Sequence, residues 1–283
     1  MSDSQIYDRQ RLIPGWDQDK LSKAKVAVIG AGALGNHVCL GLIGLGIGTI
    51  KIYDFDKIEP HNLNRQSLFC EEDIGENKAE TLAKRLKERN STITILGINQ
   101  KIEEETIEII IREVDLIIDC VDLIYVRRIL NRYCLWRDIP LIHGGISWKG
   151  GQAGILTRET PCINCFYPES LQKQELEEET SCIDNPDPSV VYTSQIIAAL
   201  MVQYVRKALM PLESDNKKHL KGELLKVDFR LDQPFYYEPL RRKDNCECVD
   251  ILEDVAPKIL EKERAQEEKD MDAEKKELEK ILN

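Results

Sequence analysis

Apolar residues in this chain gather in short runs separated by longer stretches of helical spacing. The first run, Val26-Ala27-Val28-Ile29 after Lys25, leads through Gly30-Ala31-Gly32-Ala33-Leu34-Gly35 into a largely apolar stretch ending near Leu45. Thr49-Ile50-Lys51-Ile52-Tyr53 follows and stops on Asp54. Short continuous apolar runs bounded by turn residues predict buried parallel strands, and the stretch between them predicts a helix. Leu82 and Leu86 stand four apart among Lys84, Lys87, Glu88 and Arg89, which predicts an amphipathic helix over 77–90. A strand over 93–98, a helix over 103–112 and a buried strand within 114–122 continue the alternation. Right-handed crossovers between such units give a mainly parallel sheet, so the predicted class is α/β. In the second half, 140–142 and 151–156 read as strands and 189–210 as an apolar helix. From Ile251 the pattern gives way to mostly charged residues, with Asp272–Lys276 and Glu277–Lys280 at helix-supporting spacings and a thin stripe of Met271, Leu278 and Ile281 or Leu282. Residues 1–250 therefore read as one domain and 251–283 as a charged helical tail that frays in solvent, with Pro257 as its breaker or first-turn residue.

The turn after the first predicted strand carries the first candidate chemistry. Glycines at 30, 32 and 35 make a tight turn, let backbone N–H groups approach a phosphate and allow close helix-on-strand packing. Asp54 lies at the distance where a carboxylate takes ribose hydroxyls. A glycine-rich turn in a purely structural α/β domain is the competing explanation. Beyond Asp54 the polar connection 56–66 leaves the carboxyl end of a strand, over the crevice of an open sheet. There Arg65 is a candidate to grip phosphate and Asn62 to hydrogen-bond it, although a solvated loop carries such residues anyway. Lys78 sits in a predicted first helical turn, where a cation opposes the helix dipole; a phosphate at the same helix end explains it, although an exposed lysine there costs little. Asp122, at the end of Asp119-Cys120-Val121-Asp122, is a candidate Mg2+ ligand or a helix N-cap, roles that can coexist.

Composition narrows the partners. A net charge of −11 argues against a nucleic-acid partner and favours a basic protein surface. The start shows no basic flank with an apolar run, and the apolar runs near 38–50 and 196–205 fall short of a membrane span or contain polar residues. The expectation is a soluble cytoplasmic protein without a membrane partner. Nine cysteines, an odd count, suggest reduced thiols used for metal or catalysis rather than a disulfide framework.

Taken in order, the Gly30–Gly35 turn, Asp54-Phe55-Asp56, Asn62-Leu63-Asn64-Arg65-Gln66, Gly75 with Lys78, Asp119-Cys120-Val121-Asp122 and Arg127 resemble the ThiF/MoeB family, which adenylates the C-terminus of ubiquitin-like proteins. The resemblance covers about residues 5–250. It implies a Rossmann-like, mainly parallel sheet extended by antiparallel strands, with a crossover loop over about 166–188. It also implies ATP with Mg2+ as cofactors, with Gly30, Gly32, Ala33 and Gly35 along the nucleotide and Asp54 on the ribose. Asn62, Arg65, Gln66 and Lys78 then lie on the phosphate side and Asp122 on Mg2+. Arg9, in Tyr7-Asp8-Arg9-Gln10, reads alone as surface charge. In the family it would enter the partner subunit's ATP site as an arginine finger, which implies a homodimer. One position departs: the family usually has Asn after the last Asp, where this chain has Leu123, and a contact near the nucleotide is lost.

Cys162-Ile163-Asn164-Cys165 and Cys246-Glu247-Cys248 are two short pairs at long separation, the spacing of a closed four-thiolate Zn2+ site. The family's second pair is usually C-x-x-C, so either the local turn adapts here or one of the second pair is not a ligand. Four buried free thiols are the alternative. Cys182 lies in a polar, acidic segment, where a thiol is accessible but nearby carboxylates disfavour thiolate. The resemblance gives it a role, since thioester-forming members carry their nucleophile in this loop. Cys39, Cys70, Cys120 and Cys134 read as core or ordinary positions, and none of the four histidines has a metal-like or Ser/Asp-paired spacing. The expected activity is ATP-dependent adenylation of a ubiquitin-like or sulfur-carrier protein's free C-terminus, then thioester formation on Cys182, with a conjugating enzyme as a further partner. Three rivals stand beside it: a nicotinamide dehydrogenase, which leaves the 62–66 loop, the cysteine pairs and Asp122 unexplained; a sulfur-carrier adenylyltransferase with no obligatory thioester; and a non-catalytic partner subunit, suggested by Leu123.

Overall fold

The structure, a computed structural model, describes residues 3–167, 188–215 and 222–252. Cys182 with the expected crossover loop around it, and the expected C-terminal helix, lie outside these residues. Three short helices, α1 (Asp3–Ile6), α2 (Asp8–Arg11) and α3 (Gln18–Lys23), precede strand β1 (Lys25–Ile29). The chain then runs through α4 (Ala33–Leu45), β2 (Thr49–Tyr53), α5 (Lys78–Arg89), β3 (Thr94–Ile98), α6 (Glu104–Ile111), β4 (Leu116–Asp119) and α7 (Ile124–Arg137). Strands β5 (Leu141–Ser147) and β6 (Gly150–Leu156) and helix α8 (Ile163–Phe166) come next. A long helix, α9 (Val191–Leu209), then precedes β7 (Glu223–Asp228), β8 (Phe235–Pro239) and α10 (Glu247–Asp250).

The strands form one eight-stranded sheet in the order β3-β2-β1-β4-β5-β6-β7-β8. From β3 to β5 every pairing is parallel, and from β5 to β8 every pairing is antiparallel. The mainly parallel α/β sheet with an antiparallel extension is thus the observed architecture. Alternation within the apolar runs explains how it is covered. Val26, Val28, Ile50, Ile52, Leu116 and Ile118 point to a core shared with Leu42 of α4, Leu82 and Leu86 of α5 and Met201 of α9. Their neighbours Ala27, Ile29, Ile117 and Leu141 point to a second core with Ile107 and Ile111 of α6 and Ile129 and Leu130 of α7. Strands buried on both faces are apolar nearly throughout, as β1 is after Lys25 and β4 is up to Asp119, whereas β2 carries the half-buried Thr49 and Lys51 alternating with buried positions.

β5 runs further than 140–142. It continues through Gly144 and Gly145 because it pairs with β6 along its whole length as an antiparallel hairpin. β2 and β3 lie on one side of β1 and β4 and β5 on the other, so the sheet changes winding direction between β1 and β4. In open α/β sheets ligands bind outside the carboxyl ends of the strands at that point. Among the described residues no helix is long and apolar enough to cross a membrane.

Candidate nucleotide site and cysteine cluster

Two backbone approaches shape the glycine turn. Gly30 has φ +98°, and a Cβ there would lie 2.7 Å from the Cys120 carbonyl oxygen. A Cβ on Gly35 would lie 1.9 Å from the Gly30 carbonyl oxygen. Both glycines are therefore required by the fold itself, since they let the turn close on itself and on the end of β4. Gly32 differs, because the nearest atom to a Cβ there would be Gln66 Nε2 at 4.0 Å. The fold alone does not need a glycine at 32, and a ligand approaching the backbone does. Gly32 is also the N-cap of α4 and offers no side-chain bond to the first-turn amides. Those amides and the helix dipole favour an anion.

Asp54 ties the next strand to this turn. Its Oδ2 accepts from the Ala31 N–H at 2.7 Å and its Oδ1 from the Asp56 N–H at 2.8 Å. Each oxygen retains a further lone pair for a hydroxyl donor. Burial pushes the Asp54 carboxyl above its ordinary value, against the pull of the Lys78 ammonium and the Ala31 amide.

The 62–66 loop is held by α4, which its own sequence did not reveal. His37 Nε2 lies 3.2 Å from the Arg65 carbonyl oxygen, and the Leu68 N–H donates to Asn36 Oδ1 at 2.9 Å. Arg65 Nη1 donates to the His61 carbonyl at 2.6 Å and to Asn64 Oδ1 at 2.9 Å, and no carboxylate pairs with it among the described residues. Burial lowers its pKa, which marks a half-buried cation in want of an anion. Gln66 is buried, and its Oε1 has no hydrogen-bond partner among the described residues. Beside the open Gly32 position, such an orphaned acceptor suits a ligand donor. Asn62 is engaged locally, since its Oδ1 accepts from the Glu59 N–H at 3.0 Å and closes the turn Pro60–Asn62.

Lys78 is buried in the first turn of α5, and its Nζ reaches Asp56 Oδ2 at 2.8 Å. An anion thus does accompany the ammonium at this helix end, a carboxylate of the same chain. Asn77 caps the helix through the Glu80 N–H and donates to the Asp54 and Asp56 carbonyls, so α5 is stitched to the end of β2. Asp122 lies exposed at the mouth, beyond β4. It is not the N-cap: that position falls to Leu123, which has no side-chain cap bond. A family Asn at this position would satisfy an α7 amide that Leu123 leaves to other partners.

Arg9 stands apart from this crevice. Tyr7 is buried with its OH accepting from Asn90 Nδ2 at 2.8 Å, and Gln10 Nε2 donates to the Leu45 carbonyl at 3.0 Å. These bonds fix the exposed Arg9 at the C-terminal end of α4, and the glycine turn lies at the other end.

Behind Asp122 lies a buried contact between Asp119 and His143 that the sequence did not reveal. Asp119, fully buried at the end of β4, stands beside His143 of β5 in register, with Oδ2 2.7 Å from His143 Nδ1 and 3.6 Å from Arg127 Nε. The partners lie in different strands, so no local spacing reveals them. The available signal is a histidine inside the apolar run Leu141-Ile142-His143.

The cysteine pairs converge. Cys162 Sγ lies 3.7 Å from Cys165 Sγ and 3.4 Å from Cys246 Sγ, and Cys165 Sγ lies 3.7 Å from Cys248 Sγ. Tetrahedral Zn–S bonds place sulfurs about 3.8 Å apart, so these four buried thiols have the separations and chemistry of a structural zinc site. The one-residue spacer is accommodated because Cys246 precedes α10 and Cys248 lies within it. Cys39 and Cys134 are core residues, whereas Cys70 is exposed and lies 2.6 Å from Arg85 Nη2.

Fold and crevice together define an α/β protein with a candidate nucleotide site at the β1/β4 switch point of its sheet. The chain belongs to the ThiF family, whose model matches residues 7–249. It is 28% identical over 243 residues to a SAMP-activating enzyme E1 of Haloferax volcanii, covering 84% of this chain and 86% of that one. It is 29% identical to a sulfur carrier protein adenylyltransferase of Thermus thermophilus, covering 85% and 88%. The crystal structure of E. coli MccB with AMPCPP and MccA superposes with a TM-score of 0.71 at 27% identity, covering 87% of this chain and 75% of MccB.

Proposed function

We propose that this chain uses ATP and Mg2+ to adenylate the C-terminal carboxylate of a ubiquitin-like or sulfur-carrier protein. The observation that carries this reading is the open Gly32 position beside the buried Gln66, with Asp54 bonded to the turn at Ala31, in a ThiF-family chain. Relatives named as activating enzymes and carrier-protein adenylyltransferases support it. The carboxylate oxygen attacks the α-phosphorus, the bond to the β-phosphate bridging oxygen breaks, and pyrophosphate leaves. Arg65 and Lys78, with Arg9 from a second copy, offset charge on the departing phosphates, and Asp122 would hold Mg2+, which polarises phosphate oxygens. Positioning and charge stabilisation carry most of such a transfer. Cys162, Cys165, Cys246 and Cys248 would hold one structural Zn2+.

In a second half-reaction the Cys182 thiolate attacks the acyl carbonyl and expels AMP. The relatives named as sulfur carrier protein adenylyltransferases favour a second reading in which this step is dispensable. The experiment is pyrophosphate exchange with candidate carriers, followed by gel detection of a conjugate. Cys182→Ala is expected to leave exchange intact and abolish a reductant-sensitive conjugate, while Cys182→Ser traps a slower, reductant-resistant ester. Wild-type exchange without any conjugate would establish the sulfur-carrier reading instead. Absence of exchange together with micromolar NAD binding would overturn both.

A further inference from the structure

Two buried side chains behind Asp122, Asp119 and Arg127, both bond the backbone of Val121. The Val121 N–H donates to Asp119 Oδ1 at 3.2 Å, and the Val121 carbonyl accepts from Arg127 Nε at 3.1 Å and from Arg127 Nη2. The residue before Asp122 is therefore gripped at both ends by buried charged groups. Each gripping group is itself oriented by another. His143 Nδ1 donates to Asp119 Oδ2, and Gln152 Nε2 lies 3.0 Å from His143 Nε2. Burial lowers the His143 pKa, against the pull of the Asp119 bond. Its tautomer follows from the partners, with the proton on Nδ1 facing the carboxylate. Arg127 Nη1 donates to the Tyr167 hydroxyl at 2.5 Å and Nη2 to the Gly144 carbonyl at 3.0 Å, and Gln152 also donates to that hydroxyl at 3.3 Å.

Burying a carboxylate and a guanidinium carries a desolvation penalty that an apolar core would not incur. Here both groups hold the backbone of one residue, Val121, adjacent to the exposed Asp122. We propose that His143 and Tyr167 are positioning residues for the nucleotide site: by orienting Asp119 and Arg127 they set the direction in which Asp122 leaves the switch point. The inference rests on the reading of Asp122 as the Mg2+-holding carboxylate. Outer residues that orient metal ligands typically carry 10–100-fold effects on metal affinity or activity, about the size expected here.

The test is the gain in ATP affinity on adding Mg2+, measured by calorimetry on wild type and on Asp122→Asn, His143→Leu, His143→Asn and Tyr167→Phe. Wild type is expected to gain and Asp122→Asn to lose the gain. His143→Leu and Tyr167→Phe should lose about tenfold or more of it, with Mg2+-free ATP affinity within about twofold of wild type. Asn can supply a donor near the Nδ1 position, so His143→Asn should recover most of the gain, which a merely space-filling histidine would not require. Should His143→Leu fail to fold, Tyr167→Phe, which deletes one oxygen, decides on the same criterion. The proposal is overturned if folded His143→Leu or Tyr167→Phe keeps the wild-type gain, if His143→Asn is as impaired as His143→Leu, or if wild type shows no gain. A wild type that gains from Mg2+ yet exchanges no pyrophosphate with any carrier overturns the adenylation reading and leaves this one standing.

Discussion

The three glycines of the turn do different work, and a methyl group tells them apart. At Gly30 it meets the Cys120 carbonyl under a φ that an L-residue avoids, and at Gly35 it meets the Gly30 carbonyl, so Ala at either site should destabilise by about 1–3 kcal/mol or more. Gly32 has φ −69° and open space, so Gly32→Ala should cost no more than about 1 kcal/mol as a poorer N-cap. Its methyl group would nonetheless occupy the approach to the turn, and ATP affinity should fall by about tenfold, equivalent to about 1.4 kcal/mol. Denaturant melts beside ATP titrations separate the two effects, and unchanged ATP affinity in Gly32→Ala would place the nucleotide elsewhere. Leu123 permits the opposite kind of change. It holds an N-cap position at φ −75° and ψ 119° without a capping oxygen, so Leu123→Asn should raise stability by about 0.5–2 kcal/mol. A denaturant midpoint that stays put would mean that the α7 amides are already satisfied. At this scale the turn at Gly30 and Gly35 and the nearness of Asp54 to it were legible, because local spacing sets them. The Asp119–His143 pair was not, because sheet register makes it.

Among the elements, β1, α4 and β2 were readable almost to the residue, since their apolar runs are bounded by glycines and a lysine. β7 and β8 escaped because β8 is an edge strand whose Phe235, Tyr236 and Tyr237 are all exposed, so no buried-face alternation marks it. The cysteine module lies between these extremes. Its pairs were visible from spacing, but whether a one-residue spacer closes the set depends on the start of α10, which only the fold reveals. α8 and α10 span few residues and owe their order to the cluster between them, with Leu135 and Ile251 as its apolar lining. Purified protein should therefore carry about one zinc per chain, and Cys162→Ser should lose metal and thermal stability to a greater extent than Cys39→Ser. Metal analysis on the double variant of Cys246 and Cys248 gives the sharper check, since full occupancy there would remove the second pair from the site.

Across the whole molecule, the distance between Arg9 and the glycine turn constrains how catalysis is shared. α4 has 13 residues, and at 1.5 Å per residue it is about 20 Å long. Gln10 is bonded to the carbonyl of Leu45 at one end, and the turn that would receive ATP lies at the other. Tyr7 is buried and its hydroxyl accepts from Asn90, which holds the lead-in at this end of α4. An arginine side chain does not span that length, so if Arg9 stabilises the departing pyrophosphate it does so in a second copy of the chain. Two-fold symmetry then gives each dimer two sites, each built from one subunit's crevice and the other's Arg9. Arg9→Ala should abolish pyrophosphate exchange without lowering stability, because Arg9 is exposed. Asp122→Ala should abolish it through the crevice. In a heterodimer the Arg9→Ala subunit contributes an intact crevice and the Asp122→Ala subunit an intact Arg9, so one site is restored and the other lacks both residues. Random re-association of equal amounts should return about a quarter of wild-type exchange. Arg9→Ala alone at wild-type rate would remove the arginine from the reaction. A dead mixture whose subunits demonstrably exchange would show that the two residues do not meet across an interface.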